Sequence, residues 1–138
     1  MPLPGLMLHV RGTYTLQDAR DYSDPADNAD AAGTYKGQIA YIPRHSFSIT
    51  GDASWRLLKL NYSFIYVGER WDNSSNIPEN YVQPWYTHDL SLTCRLPLRK
   101  HSASATLEVN NLFDQQYEVI RNYPMPGRNF RLILRFEI

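Results

Sequence analysis

A period of two runs through this chain in six separate segments, and no other feature restricts its fold so tightly. The closing stretch "NFRLILRFEI" sets Phe130, Leu132, Leu134, Phe136 and Ile138 against Arg131, Ile133, Arg135 and Glu137. Near the start, "LHVRGTYTLQ" sets Leu8, Val10, Gly12, Tyr14 and Leu16 against His9, Arg11, Thr13 and Thr15. The segments "SFSITGDASW", "LLKLNYSFIY", "DLSLTCRL" and "SASATLEVN" repeat the pattern. Successive side chains of an extended strand point to opposite faces, so each segment is a strand with one apolar and one polar side. A helical period never persists beyond about one turn. The chain therefore reads as all-β, with about six long antiparallel strands in a meander.

Two architectures accept such strands. A soluble sandwich or small barrel turns the apolar faces inward, whereas a transmembrane barrel turns them to lipid and lines its lumen with the polar faces. Several segments run to about ten residues, the length a tilted strand needs to cross a bilayer. Their connections alternate, long around Ser23 to Lys36, tight near Ser54 to Arg56, long from Trp71 to Pro84, short at "PLRKH", long from Gln115 to Arg128. That alternation is the sidedness of an outer-membrane barrel. Aromatic residues gather where strands meet the long connections, as Tyr14, Tyr22, Tyr41, Tyr66, Trp71, Trp85, Tyr86, Tyr117 and Tyr123, the place of an interfacial girdle. The same orientation accommodates Arg95, Glu108, Arg131 and Arg135 in mid-strand, facing water in a lumen. A soluble all-β ligand-binding module stays as the alternative.

Six strands fall short of the eight or so that close even a small barrel, and unpaired edges in hydrocarbon cost several kcal/mol per orphan group. The sheet is expected to be completed by further strands of a longer polypeptide or by other copies. Regular alternation beginning so close to Met1 favours a C-terminal piece.

Composition removes other classes. Lys+Arg 14 balance Asp+Glu 14, and no basic run offers a footprint for nucleic acid. Cys94 is alone, so neither an internal disulfide nor a paired-cysteine metal site exists. His9, His45, His88 and His101 lie on different segments outside any catalytic motif, which argues against an enzyme and against a resident cofactor. Asp18, Asp21, Asp24, Asp27 and Asp30 recur every third residue but miss the spacing of an EF-hand loop, so a solvated loop is expected and no metal site.

The tail "LEVNNLFDQQYEVIRNYPMPGRNFRLILRFEI" resembles the C-terminal signature of TonB-dependent outer-membrane receptors. The matching residues are Asn111, Leu112, Phe113, Asp114 and Tyr117, then Tyr123, Pro124, Pro126, Gly127 and Arg128; "GTYTLQDAR", "YIPRHSFSIT" and "YVGERWDN" look like upstream strands of such a barrel. The motif residues are expected to be structural, with Asn111 and Asp114 bonding nearby backbone and Gly127 reversing the chain at positive φ.

The resemblance implies the C-terminal part of a 22-stranded barrel in the bacterial outer membrane, surrounded by lipid. The family imports ferric siderophores, cobalamin or similar large solutes. Its partners are a plug domain, a TonB complex that pulls on an N-terminal box, and the barrel-assembly machinery. Neither plug nor box is found in residues 1–138. The assembly machinery would read the alternating strand of Phe130, Leu132, Leu134, Phe136 and Ile138, which departs from the family's terminal aromatic by ending on Ile138. Solute contacts in the family come from plug apices and external loops, and here the candidates are Trp71, Tyr81, Trp85, Arg121 and Tyr123.

Overall fold

The structure, a computed structural model, describes residues 5–24, 26, 33–98 and 101–137. Along the chain run β1 (Leu6–Leu16), β2 (His45–Trp55), β3 (Leu58–Val67), β4 (Arg70–Trp71), β5 (Tyr81–Val82), β6 (Trp85–Pro97), β7 (Ser102–Asn110), β8 (Glu118–Ile120), β9 (Tyr123–Pro124) and β10 (Asn129–Glu137). Six of them form one antiparallel sheet in the order β1-β2-β3-β6-β7-β10, each strand paired with its neighbour among the long strands. The other four make two small hairpins, β4 with β5 and β8 with β9. The long strands have 9 to 13 residues, enough to span a bilayer when tilted.

Register explains why the alternation is kept so strictly. Directly opposed residues of antiparallel strands share a face, and the pairs Leu8↔Ala53, Ala53↔Leu60, Leu60↔Leu92, Leu92↔Leu107 and Leu107↔Leu132 draw one apolar row across all six strands. The adjacent row on the other face reads His9, Asp52, Asn61, Ser91, Glu108 and Arg131. A slip of one residue in any strand would exchange the two rows there. Mid-strand charges fall on the polar face, where Arg131 Nη1 sits 3.5 Å from Glu108 Oε2.

Among the described residues the apolar face covers no core. Val82 is the one buried hydrophobic residue among those described, and Leu107 and Leu134 are 48% and 61% exposed. Accessible surface totals 10228 Å², whereas a compact 16.0 kDa protein exposes about 7,400 Å². A soluble sandwich built from these strands would have to pack Leu58, Phe64, Leu107 and Leu134 into an interior. Leu58 and Leu107 instead stand on an open sheet surface. β1 and β10 have no strand on their outer edges among the described residues.

The connections divide by end. Arg56 and Leu57 turn β2 into β3, with Arg56 at φ 52° and its guanidinium 5.0 Å from the Trp55 ring centre. Reciprocal bonds between Leu98 and His101 backbones close the β6–β7 turn at the same end. The three long connections leave from the opposite end. Ile138, Asp27 and Asp30 lie outside the described residues.

Candidate functional site

At the long-connection end the loops pack into a layer. Tyr41 N donates to Trp71 O at 2.8 Å, and Asn76 Nδ2 donates to Gln38 O at 3.1 Å, which ties the first loop to the second. Gly37 passes so close to Ser74 O that a Cβ would lie 2.0 Å from it. The aspartates of the first loop are occupied locally: Asp18 accepts from Arg20 Nε at 2.8 Å, Asp21 from Ser23 N at 2.9 Å and Asp24 from Ala26 N at 2.8 Å. The Arg20 bond holds the Asp18 carboxyl below its usual range. Among the described residues no three His, Cys, Asp or Glu gather as a metal site.

The Asn-Leu-Phe-Asp motif is a turn stitched to its surroundings. Asn111 is only 4% exposed and takes φ 51°, a left-handed conformation that asparagine tolerates better than most residues. Its N–H donates to Asp89 Oδ1 at 2.8 Å, its Nδ2 to Gln115 O at 2.8 Å and Pro126 O at 3.4 Å, and its Oδ1 accepts from Gln115 N at 2.9 Å. Leu112 N reaches His88 O, and Phe113 stands edge-on to His88, 4.8 Å between centres. Asp114, at φ 54°, accepts from Arg128 N at 2.7 Å, and Tyr117 O accepts from Met125 N at 2.9 Å.

Gly127 does not use the positive φ expected of it; among the described glycines only Gly5 does. Its need is room, because a Cβ would lie 2.5 Å from Asp114 Oδ1. Gly127→Ala should therefore push that carboxylate off Arg128 N and cost about 1–2 kcal/mol. In thermal unfolding, adding Asp114→Ala to Gly127→Ala should cost less than the sum of the single changes, since both remove one contact.

Between the β4–β5 and β8–β9 hairpins lies a cavity of about 550 Å³, bounded by residues 81–85, 115–118, 121, 122 and 124. Trp85 opens β6 on the polar face, opposite the girdle position expected from its sequence context, and stacks on Tyr117 with centres 4.6 Å apart. Burial raises the Tyr117 hydroxyl above its usual range. Tyr81 and Arg121 also line the cavity, together with Gln83, Gln115 and Gln116. Of the five solute-contact candidates, the structure thus brings Tyr81, Trp85 and Arg121 together. Trp71 stands behind, edge-on to Tyr81 at 5.6 Å, and Tyr123 is exposed away from the lining.

On the opposite, apolar face the same end carries Tyr14, Phe47, Tyr66 and Tyr86 in one row. Two tyrosine hydroxyls of the apolar face meet histidines, Tyr14 in that row with His45 Nδ1 at 2.8 Å and Tyr62, in mid-strand, with His88 Nδ1 at 2.6 Å. A ring body in hydrocarbon with its polar tip satisfied is the chemistry of a membrane interface.

Arg70 carried no sequence signal. It is 2% exposed, yet it donates to Val119 O at 2.9 Å, Glu118 O at 3.0 Å and Gln83 O at 3.4 Å. Burial lowers its affinity for the proton. Only the tertiary fold brings residues 49 positions apart to meet.

A family model described as TonB dependent receptor-like, beta-barrel matches residues 5–112. The structure also resembles BauA, the ferric preacinetobactin receptor from Acinetobacter baumannii, with a TM-score of 0.78 and 14% identity. That match covers 99% of this chain and 20% of BauA, so the chain spans about a fifth of the length of that receptor. The fold agrees with the open apolar face, the long strands and the two kinds of connection. The chain belongs to the TonB dependent receptor-like β-barrel family, whose barrels lie in the bacterial outer membrane.

Proposed function

We propose that these strands form an arc of an outer-membrane receptor that imports a ferric siderophore, cobalamin or a similar large solute, and that the hairpin cleft contributes to solute contact. The observation that carries this reading is the unpacked apolar face, continuous over six membrane-length strands, with every long loop at one end. Family membership and the siderophore receptor BauA support the same direction. In this arrangement the long loops face outward and the Arg56 and His101 turns face the periplasm. The plug, the segment that contacts TonB and the remaining strands come from outside these residues. The strand of Phe130, Leu132, Leu134 and Phe136 is the part offered to the assembly machinery.

Uptake of labelled ferric siderophores and cobalamin by cells with and without the gene tests the proposal. Saturable uptake of one probe should vanish on deletion; indifference of every probe to the deletion would count against the reading. Trp85→Ala should raise the half-saturating concentration about tenfold, the value of about 1.4 kcal/mol of lost aromatic contact. Receptor abundance in the outer membrane should not change.

A further inference from the structure

The two hairpins that wall the cleft exchange arginines. From β4, Arg70 reaches into the β8–β9 hairpin, where Nη1 meets Val119 O at 2.9 Å and Nη2 meets Glu118 O at 3.0 Å. From the β8–β9 turn, Arg121 reaches back, with Nη1 on Asp72 Oδ2 at 2.7 Å and on Glu79 O. The inner arginine is buried and forms no ion pair among the described residues; its Nη1 and Nη2 bonds go to backbone carbonyls, and its Nε has no partner there. The outer one is half exposed and paired with a carboxylate, which raises its proton affinity. A guanidinium is suited to the inner position because its planar fork donates to several acceptors at once while keeping its charge.

We propose that Arg70 and Arg121 form a reciprocal clasp that makes the β4–β5 and β8–β9 hairpins one rigid unit, so that the cleft between them exists before any solute arrives. Arg70 is a positioning residue here. It bonds carbonyls of Gln83 and Glu118, two residues that line the cleft, without lining it itself. Loops with few buried contacts open locally at little cost, and the strands of these hairpins are only two or three residues long. The arginine bonds supply cohesion that the short ladders lack. The two ends of the clasp differ in character: salt should weaken the exposed Arg121–Asp72 pair and leave the buried Arg70 bonds nearly untouched.

Spin labels on Ile77→Cys and Ile120→Cys, both exposed, in a Cys94→Ala background report the distance between the hairpins in protein extracted from outer membranes, without solute. The unsubstituted clasp should give one narrow distribution. Arg70→Gln should broaden it at least about twofold, and Arg70→Lys should restore it only in part, because an ammonium lacks the planar fork. Arg121→Gln should broaden it less, and 1 M salt should reproduce the Arg121→Gln result with Arg70 intact. Heat-modifiable migration of each variant shows whether its barrel has folded. If Arg70→Gln does not fold, Arg121→Gln and Asp72→Asn decide the matter, since both lie at the exposed end. Distributions in the folded variants as narrow as the parent would overturn the clasp. The readout needs no solute, so failure of the uptake reading leaves it standing.

Discussion

Asn111→Ala will be the most damaging small substitution in the described loops. The alanine has no side-chain donor or acceptor, so Gln115 N, Gln115 O and Pro126 O lose their Asn111 contacts. Their surroundings admit little water, because Asn111 is buried beneath the turn. An unsatisfied buried group costs about 1–3 kcal/mol, and holding a residue other than glycine or asparagine at a φ near 50° adds about 1–2 kcal/mol. The expected loss is about 3–5 kcal/mol, read from reversible urea unfolding of the protein in lipid vesicles. Asn111→Gly separates the two contributions: it loses the same side-chain bonds and escapes the backbone cost, so it should recover about 1 kcal/mol of the deficit. Trp85 fluorescence should report the loop's release, since the stack on Tyr117 sits six residues beyond the turn. A loss below about 1 kcal/mol in the alanine variant would mean that the Asn111 bonds hold nothing together.

What could be read from the sequence and what could not follows from the range of the interactions. Strands β1, β2, β3, β6, β7 and β10 were legible because each has nine or more residues over which a period of two can show itself. Uniform faces also require registry, and the alternation of Leu58, Leu60, Tyr62 and Phe64 matches Cys94, Leu92, Leu90 and His88 across the pair without a bulge. Strands of two or three residues contain no period at all, and β4, β5, β8 and β9 are illegible for that reason. The Asn111 turn was marked by its Asn-Leu-Phe-Asp string, yet its partners Asp89 and Pro126 are supplied by other segments. Trp85 shows how an aromatic at a strand end can mislead. The residue type fits an interfacial girdle, but parity along β6 puts Tyr86 on the apolar face and Trp85 on the polar one. Parity was available in the sequence; the stacking partner Tyr117 was not. Gly127 gives the same lesson in reverse, since its glycine answers to a carboxylate from thirteen residues earlier and not to its own backbone angle.

Arg70 and Asn111 also show where cohesion resides in a sheet without an interior. Both are buried polar residues, and each has partners on segments distant in sequence. The strands are held by ladder bonds and by the medium around them, while the loop layer is held by polar side chains reaching backbone. Such a layer can keep a cleft of fixed shape above a lumen although almost no hydrophobic residue is buried.

The medium itself is open to a direct test at two consecutive residues of β6. Leu92 lies in the central apolar row between Leu60 and Leu107, and Ser91 lies on the other face opposite Asn61 and Glu108. With the apolar face in hydrocarbon, Leu92→Arg places a cation at mid-depth and should destabilise the folded protein in phospholipid vesicles by about 2–4 kcal/mol. Ser91→Arg puts the same charge on the polar face beside Glu108 and should change stability by no more than about 1 kcal/mol. The two substitutions share the added side-chain entropy and the same strand, so orientation accounts for the contrast. The soluble alternative makes a different prediction. An apolar face packed into a protein core would punish Leu92→Arg in detergent-free buffer and would give a soluble, cooperatively unfolding parent to punish. A hydrocarbon-facing sheet gives a parent that aggregates without lipid or detergent, and the 2–4 kcal/mol penalty should shrink toward about 0–1 kcal/mol for Tyr86→Arg at the interfacial row. Equal costs at Leu92 and Ser91 in vesicles would show that the two faces meet the same surroundings, and the membrane orientation of the sheet would have to be abandoned.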